Sequence, residues 1–274
     1  MKRIAILLTC YNRKDKTIAC LRYLYNCIIP IDHNFDVFLV DDGCTDGTST
    51  EISEKYPQVN IIVGTGSLFW NRGMYLAWTT AKNTKNYDFY LWLNDDTILS
   101  HQAIGEMLSC EKEQNSKAIV CGAFCSSVDS TFTYGGKTID GKALIPNGKI
   151  QSCYTINGNC VLINKEICAT VGLLDPIYPH AIGDYEYGLR AMKHGFDLIT
   201  TRTYIGHCEG NNLLPKWCYS STPFIERCKS LYSPLGYSHP KYFFIFENNH
   251  YSLKQAVKHY MTIHLRLLIP SLWK

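Results

Sequence analysis

Five short, largely apolar runs, each ending in polar residues, constrain this 274-residue chain more than any other feature. Lys2 to Thr9 gives way to Tyr11-Asn12-Arg13-Lys14-Asp15, after which Ile18, Leu21, Leu24 and Tyr25 recur at helical spacing. Asp36 to Val40 ends in Asp41-Asp42-Gly43 and leads to a helix near Thr48 to Lys55. Val59 to Val63 precedes a loop and a helix from about Asn71 to Ala81. Phe89 to Leu93 ends in Asn94-Asp95-Asp96 ahead of a helix from about Ser100, and Ala118 to Phe124 supplies a fifth strand. Strands with no polar alternation, separated by helices, predict a parallel sheet covered on both faces. Ligands of such sheets sit beyond the carboxyl ends of the strands. Tyr11, Asp42 and the Asp95-Asp96 pair all fall there.

The pattern changes after Phe124. Residues 126 to 160 carry Gly135-Gly136, Asp140-Gly141 and Asn147-Gly148, turn signals that predict a mixed β insertion. Helices are expected near Lys165 to Val171 and Asp184 to His194, and an irregular aromatic stretch from Asn211 to Asn249. Leu253, Ala256, Val257, Tyr260, Met261, Leu267 and Leu268 then predict a final amphipathic helix, with Lys254, Lys258 and Arg266 on its other face. The division expected is residues 1–214 as one α/β unit and 215–274 as a basic, aromatic extension. That extension holds eight Lys or Arg against two acids, so a chain of net charge +3 has a body of net −3. Such a body is a poor surface for duplex nucleic acid. The tail suits an anionic membrane surface, the apolar face of its own body, or a second copy of the chain. Thirteen cysteines without a CxxC pair, and no apolar leader ahead of them, suggest reduced thiols in a cytosolic protein. No run of eighteen apolar residues occurs, so membrane contact is expected to be peripheral.

Acids carry the candidate chemistry. Asp95 and Asp96 at a strand end repel one another unless donors or a cation neutralise them, which a hard divalent ion with phosphate oxygens would do. The same residues also make an ordinary cap for the next helix. Tyr11 offers a face for stacking a base, and Asp42 could accept the ring N–H of a uracil or thymine. A plain turn accounts for Asp41 to Gly47 equally well. Gly64-Thr65-Gly66-Ser67 before Trp70-Asn71-Arg72-Gly73 makes a donor-rich loop that could approach ribose or phosphate, while a GxGxxG after the first strand and a Walker loop are both missing. Asp184 opens a helix, where it is either a general base or an N-cap, and Glu186 can pair with Arg190 at i+4.

Taken together, Thr9-Cys10-Tyr11-Asn12-Arg13, Val40-Asp41-Asp42-Gly43-Cys44-Thr45-Asp46-Gly47-Thr48, Leu93-Asn94-Asp95-Asp96 and Gly183-Asp184 with Leu189-Arg190-Ala191 resemble the family 2 glycosyltransferases of the GT-A fold. The resemblance spans about residues 3 to 208. It implies an α/β GT-A fold, with a mostly parallel sheet in a Rossmann-like nucleotide-binding half joined to a mixed-sheet acceptor half. It also implies inverting transfer from a UDP- or dTDP-sugar to a glycan or lipid-linked glycan hydroxyl, as in cell-surface polysaccharide synthesis. Nucleotide contacts would then come from Thr9, Tyr11, Arg13, Asp42, Asn71 and Asp95, Asp96 would ligate Mg²⁺ or Mn²⁺, and Asp184 would be the base. His207, after a late strand, is a candidate third metal or diphosphate ligand, and His180 a weaker one. The segments Gly66 to Met74 and His180 to Tyr185 are similar to those of bacterial rhamnosyl- and polysaccharide-type transferases. The implied place is the cytoplasm, at the inner face of the membrane. Two positions depart from the family pattern: Asn94 replaces the first acid of the aspartate motif, and Gly183 the first residue of the Glu-Asp pair. A noncatalytic sugar-nucleotide or glycan-binding module is the rival from another class. A sugar-phosphate nucleotidyltransferase would want a glycine-rich loop where this chain has Cys10-Tyr11-Asn12-Arg13.

Overall fold

The computed structural model describes residues 1–210 and 213–273. In chain order the first half runs β1 (Lys2–Cys10), α1 (Lys14–Tyr25), β2 (His33–Asp41), α2 (Thr48–Lys55), β3 (Asn60–Val63), α3 (Phe69–Thr84), β4 (Phe89–Leu93), β5 (Ile98–Leu99), α4 (Ala103–Glu113) and β6 (Ala118–Cys125). The second half adds β7 (Phe132–Tyr134), β8 (Gln151–Ser152), β9 (Cys160–Asn164), α5 (Lys165–Val171), α6 (Gly183–Lys193), β10 (Asp197–His207), α7 (Phe224–Leu231), α8 (Pro240–His250) and α9 (Leu253–Leu268). The stretch expected to be irregular after residue 211 therefore contains two helices, α7 and α8. Asn211, Asn212 and Lys274, which fall within that stretch and the expected extension, lie outside the described residues.

One sheet organises the molecule, in the order β3-β2-β1-β4-β9-β6-β10-β5. Strands β3, β2, β1 and β4 are parallel, as their unbroken apolar sequences require. β9 enters antiparallel between β4 and β6, pairing Leu93 with Cys160 and Cys121 with Val161, and makes the far half mixed. Its sequence, Cys-Val-Leu-Ile-Asn, is wholly buried because helices cover both faces of the sheet there. This register brings the loop before β9 against the residues that follow β4.

Two apolar layers hold the sheet. Ile6, Leu8, Leu39 and Leu91 face α1 and α4 on one side, while Leu7, Val40, Trp92 and Ile163 face α3, α5 and α6 on the other. In the second layer Trp78, Trp92 and Tyr187 form an edge-on aromatic stack, with ring centroids 5.6 and 5.2 Å apart. Full burial of each such side chain contributes on the order of 1.5–3 kcal/mol. α3 packs closely on β1 because residue 73 is glycine: a Cβ there would lie 2.3 Å from the Thr9 hydroxyl. The last helices dock on α6 through Tyr178, Ile182, Leu189 and Phe246, a cluster that includes Tyr242 and Phe243 at its edge. No described helix is long and apolar enough to cross a membrane.

Candidate active site

The acids singled out in the sequence are joined by a continuous run of contacts across the carboxyl edge of the sheet. Asp42, directly after β2, is buried, and its carboxylate captures the loop that opens α3. Oδ1 accepts the Gly66 N–H at 2.8 Å, and Oδ2 accepts those of Leu68 and Phe69 at 2.8 and 3.0 Å. Of roughly four acceptor positions on a carboxylate, one is left, on Oδ1. Gly64 is needed here, since a Cβ would meet that oxygen at 2.7 Å. Tyr11 follows β1, whose last residue pairs with Asp41, and is 56% exposed.

Trp70 carries the run to the next strand end. Its indole N–H donates to Asn94 Oδ1 at 2.6 Å, and the Asn94 amide donates to Asn159 Oδ1 at 2.6 Å. The Trp70 ring lies close against the backbone of Gly158, where a Cβ would meet it at 2.4 Å. Asn94 therefore uses both ends of its amide to join α3, β4 and the loop before β9. A carboxylate, lacking a donor, could not do that in this arrangement. The departure from the aspartate motif thus has a local cause.

Asp95 and Asp96 share one cation. Arg13 Nη1 lies 3.1 Å from Asp95 Oδ1 and 3.0 Å from Asp96 Oδ2, and Lys16 stands 3.9 Å from Asp96. Burial pushes the Asp95 carboxyl up to about 6, offset by Arg13 and reinforced by Asp96. The Thr17 hydroxyl donates to its other oxygen at 3.3 Å. Asp96 is the more open of the pair, with a hard oxygen facing cationic groups. Such a donor suits Mg²⁺ or Mn²⁺, which take few protein ligands and complete their shell with phosphate and water. Among the described residues the only group of three His, Cys, Asp or Glu with converging ligand atoms is Cys10, Asp41 and Cys44. An ion at Asp96 would accordingly draw most of its ligands from substrate and water.

Asp184 closes the run at the first turn of α6. It is buried, and its two oxygens accept the backbone N–H groups of Gly158 and Tyr185, each at 2.9 Å. Burial pushes its carboxyl up to about 6, against the pull of those amides. Gly183 beside it answers the second departure. A Cβ at 183 would lie 1.8 Å from Asn71 Oδ1, so the Asn71 amide fills the space a larger residue would need. Asn71 itself is fully buried and donates to the carbonyls of Asp175 and Tyr178, each at 2.7 Å. Expected at the nucleotide, it holds the loop ahead of α6 instead, and Ile182, at φ +78°, turns that loop into the helix. Thr9 similarly lies beneath α3 at Gly73.

The two histidines fall differently. His180 Nδ1 accepts the Trp70 backbone N–H at 3.3 Å, and burial, with Arg13 adding, pushes the ring down to about 4. It is neutral near pH 7. His207 is exposed at the end of β10, its Nδ1 3.5 Å from Cys125 Sγ. The neighbouring Cys208 thiol is the one beside Asp96, at 3.9 Å. Trp70 was named only within the loop that opens α3, and Gly158 and Asn159 were not singled out by sequence reasoning. The Gly158-Asn159 pair before an apolar run was their only signal.

Beyond Asp184 the wall is aromatic. Tyr185 and Tyr237 have ring centroids 6.0 Å apart, and Tyr237 belongs to the segment between α7 and α8. Burial, then the Asp184 carboxylate, push the Tyr237 hydroxyl well above its ordinary value.

The sequence model of glycosyl transferase family 2 matches residues 5–172, more than half of the chain. The chain belongs to that family. Among solved structures, TarS of S. aureus superposes over 92% of this chain and 44% of its own, at 14% identity and a TM-score of 0.55. TarS 1–349 in complex with UDP aligns over 92% and 72% at 13% identity and a TM-score of 0.56. A mannosyltransferase from Pyrobaculum calidifontis, PcManGT, in complex with GDP-Man and Mn²⁺, aligns over 93% and 73% at 14% identity and a TM-score of 0.56. At these identities the likeness is one of fold, and it confirms the GT-A architecture. No curated protein sequence matches the chain significantly. By sequence over residues 5–172 the chain is grouped with the glycosyl transferases of that family. It spans less than half the length of the first of these relatives.

Proposed function

We propose that the protein moves a sugar, with inversion, from a UDP- or dTDP-sugar to a glycan or lipid-linked glycan hydroxyl. The observation that carries this reading is the run of direct contacts from Asp42 through Trp70 and Asn94 to Asp184. It supports reading Asp42 as part of a base pocket, the acids after β4 as the diphosphate end and Asp184 as the base, all along one edge. Tyr11 stacks the base and the remaining Asp42 acceptor takes its ring N–H. Arg13 and Asp95 stand at ribose and diphosphate, and Asp96 holds Mg²⁺ or Mn²⁺, with His207 at the same strand edge as a further candidate ligand. When bound, that ion offsets the charge of the departing diphosphate.

Asp184 does the proton chemistry. With its carboxyl near 6 it is ionised at neutral pH, yet basic enough to accept a proton from an alcohol as the C–O bond forms. The hydroxyl oxygen joins the anomeric carbon, the bond from that carbon to the diphosphate oxygen breaks behind it, and the proton goes to Asp184. One displacement inverts configuration. Residues 1–214 form the transferase unit in this reading. Residues 215–274 dock on α6 through the His250–Glu186 contact at 3.5 Å and supply Tyr237 to the acceptor side. The relatives bound to UDP and to GDP-Man with Mn²⁺ support a nucleotide-sugar donor.

A panel of UDP-, dTDP- and GDP-sugars with Mn²⁺, assayed for donor hydrolysis and for transfer, tests this. Turnover of one donor by the wild type, slowed by about 10²–10⁴ in Asp184→Asn with nucleotide binding kept, is the expected result. Binding without turnover of any donor, with Asp184→Asn behaving as wild type on a glycan, would instead make the protein a binding module.

A further inference from the structure

Two thiols and a carboxylate converge behind the base pocket, apart from the acids used above. Cys10 is the last residue of β1, pairs in register with Asp41 at the end of β2, and meets Cys44 from the following loop. The two Sγ atoms are 3.8 Å apart, and one ligand atom from each of the three residues lies within 4.8 Å of the others. We propose that Cys10, Asp41 and Cys44 bind a thiophilic divalent cation, Zn²⁺ being the fitting one, with a fourth position left to water.

The spacing is what zinc asks for. Two sulfurs at about 2.3 Å from a tetrahedral ion stand about 3.8 Å apart, whereas a disulfide requires about 2.05 Å. The surrounding groups are already set as supports for ligands. Cys44 Sγ accepts the Asn12 N–H at 3.2 Å, a contact that favours a thiolate. Asp41 is held by the Cys44 N–H at 2.6 Å and by the Ser49 hydroxyl, and keeps acceptor positions to spare. Neither of those partners is a cation. Burial first, then Cys44, Asp95 and Asp41, push the Cys10 thiol up, so a bare thiolate is disfavoured and with it thiol–disulfide exchange. A divalent ion removes that repulsion, and binding releases the two thiol protons. Cys10 is buried and Cys44 only partly so, which leaves an entry from the loop side. The ion would tie the end of β1, next to Tyr11, to the end of β2, next to Asp42.

The test is zinc retention by the reduced, full-length protein after dialysis, together with Co²⁺ as a spectroscopic probe. Wild type should keep one zinc per chain and show a sulfur-to-cobalt charge-transfer band. Cys44→Ser, at a partly exposed position that leaves folding intact by circular dichroism, should bind zinc roughly tenfold or more weakly and lose the band. Cys228→Ser, at the other partly exposed thiol, should retain both. Asp96→Asn should also keep the zinc, which separates this site from the ion that accompanies a donor and leaves the transferase reading to its own assay. No zinc retained by wild type, or equal retention by wild type and Cys44→Ser, overturns the proposal.

Discussion

Asp95 and Asp184 are both buried, and burial pushes both carboxyls up to about 6, yet their partners differ. Asp95 sits against Arg13 and the Thr17 hydroxyl, with a second acid alongside. Among the described residues Asp184 accepts hydrogen bonds only from backbone N–H groups, with Lys137 acting on it at longer range, and Tyr185 and Tyr237 lie beyond it. A carboxylate paired with a cation is suited to organising charge. One held by amides alone keeps its basicity for a proton. In the proposed reading this difference separates a donor end from an acceptor end.

The strongest way to break this division is a pair of substitutions. Asp184→Asn should lower kcat by about 10²–10⁴ and leave the donor KM near the wild-type value. Arg13→Gln should do the reverse, raising the donor KM roughly ten- to a hundredfold, because a charged hydrogen-bond donor contributes about 1.5–3 kcal/mol. Steady-state kinetics on both variants checks this. If Asp184→Asn chiefly raises the donor KM, the acceptor end has been misassigned.

Acidity sharpens the same contrast. Transfer should fall about tenfold per pH unit below pH 6 as Asp184 takes up a proton. Stability moves the opposite way for this group. Its folded value lies above its ordinary value of 3.8, so its ionised form opposes folding, and the penalty vanishes as pH falls from about 6 to 4. His180, held down to about 4, contributes the contrary trend below its ordinary 6.5, so the measurement must isolate Asp184. Urea unfolding of wild type and Asp184→Asn at several pH values does so. The stability of the variant relative to wild type should decline between pH 7 and pH 4, by at most about 1.4 kcal/mol per unit. A flat difference would mean that Asp184 titrates in the folded chain as it does when unfolded.

The strand ends were legible because a buried parallel strand writes itself as an unbroken apolar run, and its polar stop marks the functional edge. Asp184 is read instead from its place at a helix start, and Tyr11, Asp42, Asp95 and Asp96 follow from that rule. Asn71 did not, since its neighbours Trp70 and Arg72 suggested an exposed loop, whereas Gly183 admits its amide into the core. The insertion of β9 between β4 and β6 was equally hidden. Its five buried residues read the same in either direction, and only pairing with Leu93 and Cys121 fixes the orientation. In α9 the spacing was right but the inward face was not. Ala256, Ile263 and Leu267 are buried, while Leu253, Val257, Met261 and Leu268 remain open.

A smaller effect is expected at the aromatic wall. Tyr237→Ala removes a ring near Tyr185 and leaves the donor end untouched, so it should raise the acceptor KM several-fold, or about 1 kcal/mol, with the donor KM unchanged. A change in both would mean that the extension supports the whole crevice rather than its acceptor side.

The mildest test asks whether the acceptor end is also the membrane end. Leu253, Val257, Met261 and Leu268 are 47–64% exposed on α9, and Lys254 and Lys258 are exposed on the same helix. Apolar side chains beside lysines suit an anionic bilayer surface, where each basic group contributes about 1 kcal/mol. Screening shortens the reach of those charges to about 8 Å at physiological salt, so attachment should be weak and reversible. Full-length protein should sediment with anionic phospholipid vesicles at low salt, leave them as salt rises, and ignore zwitterionic ones. Val257→Ser with Met261→Ser should lose that attachment while donor hydrolysis stays at the wild-type rate. If vesicles are ignored at low salt and the chain sediments as a dimer that the same two substitutions dissociate, the open face of α9 belongs to a second copy, and acceptor delivery must be sought elsewhere on the extension.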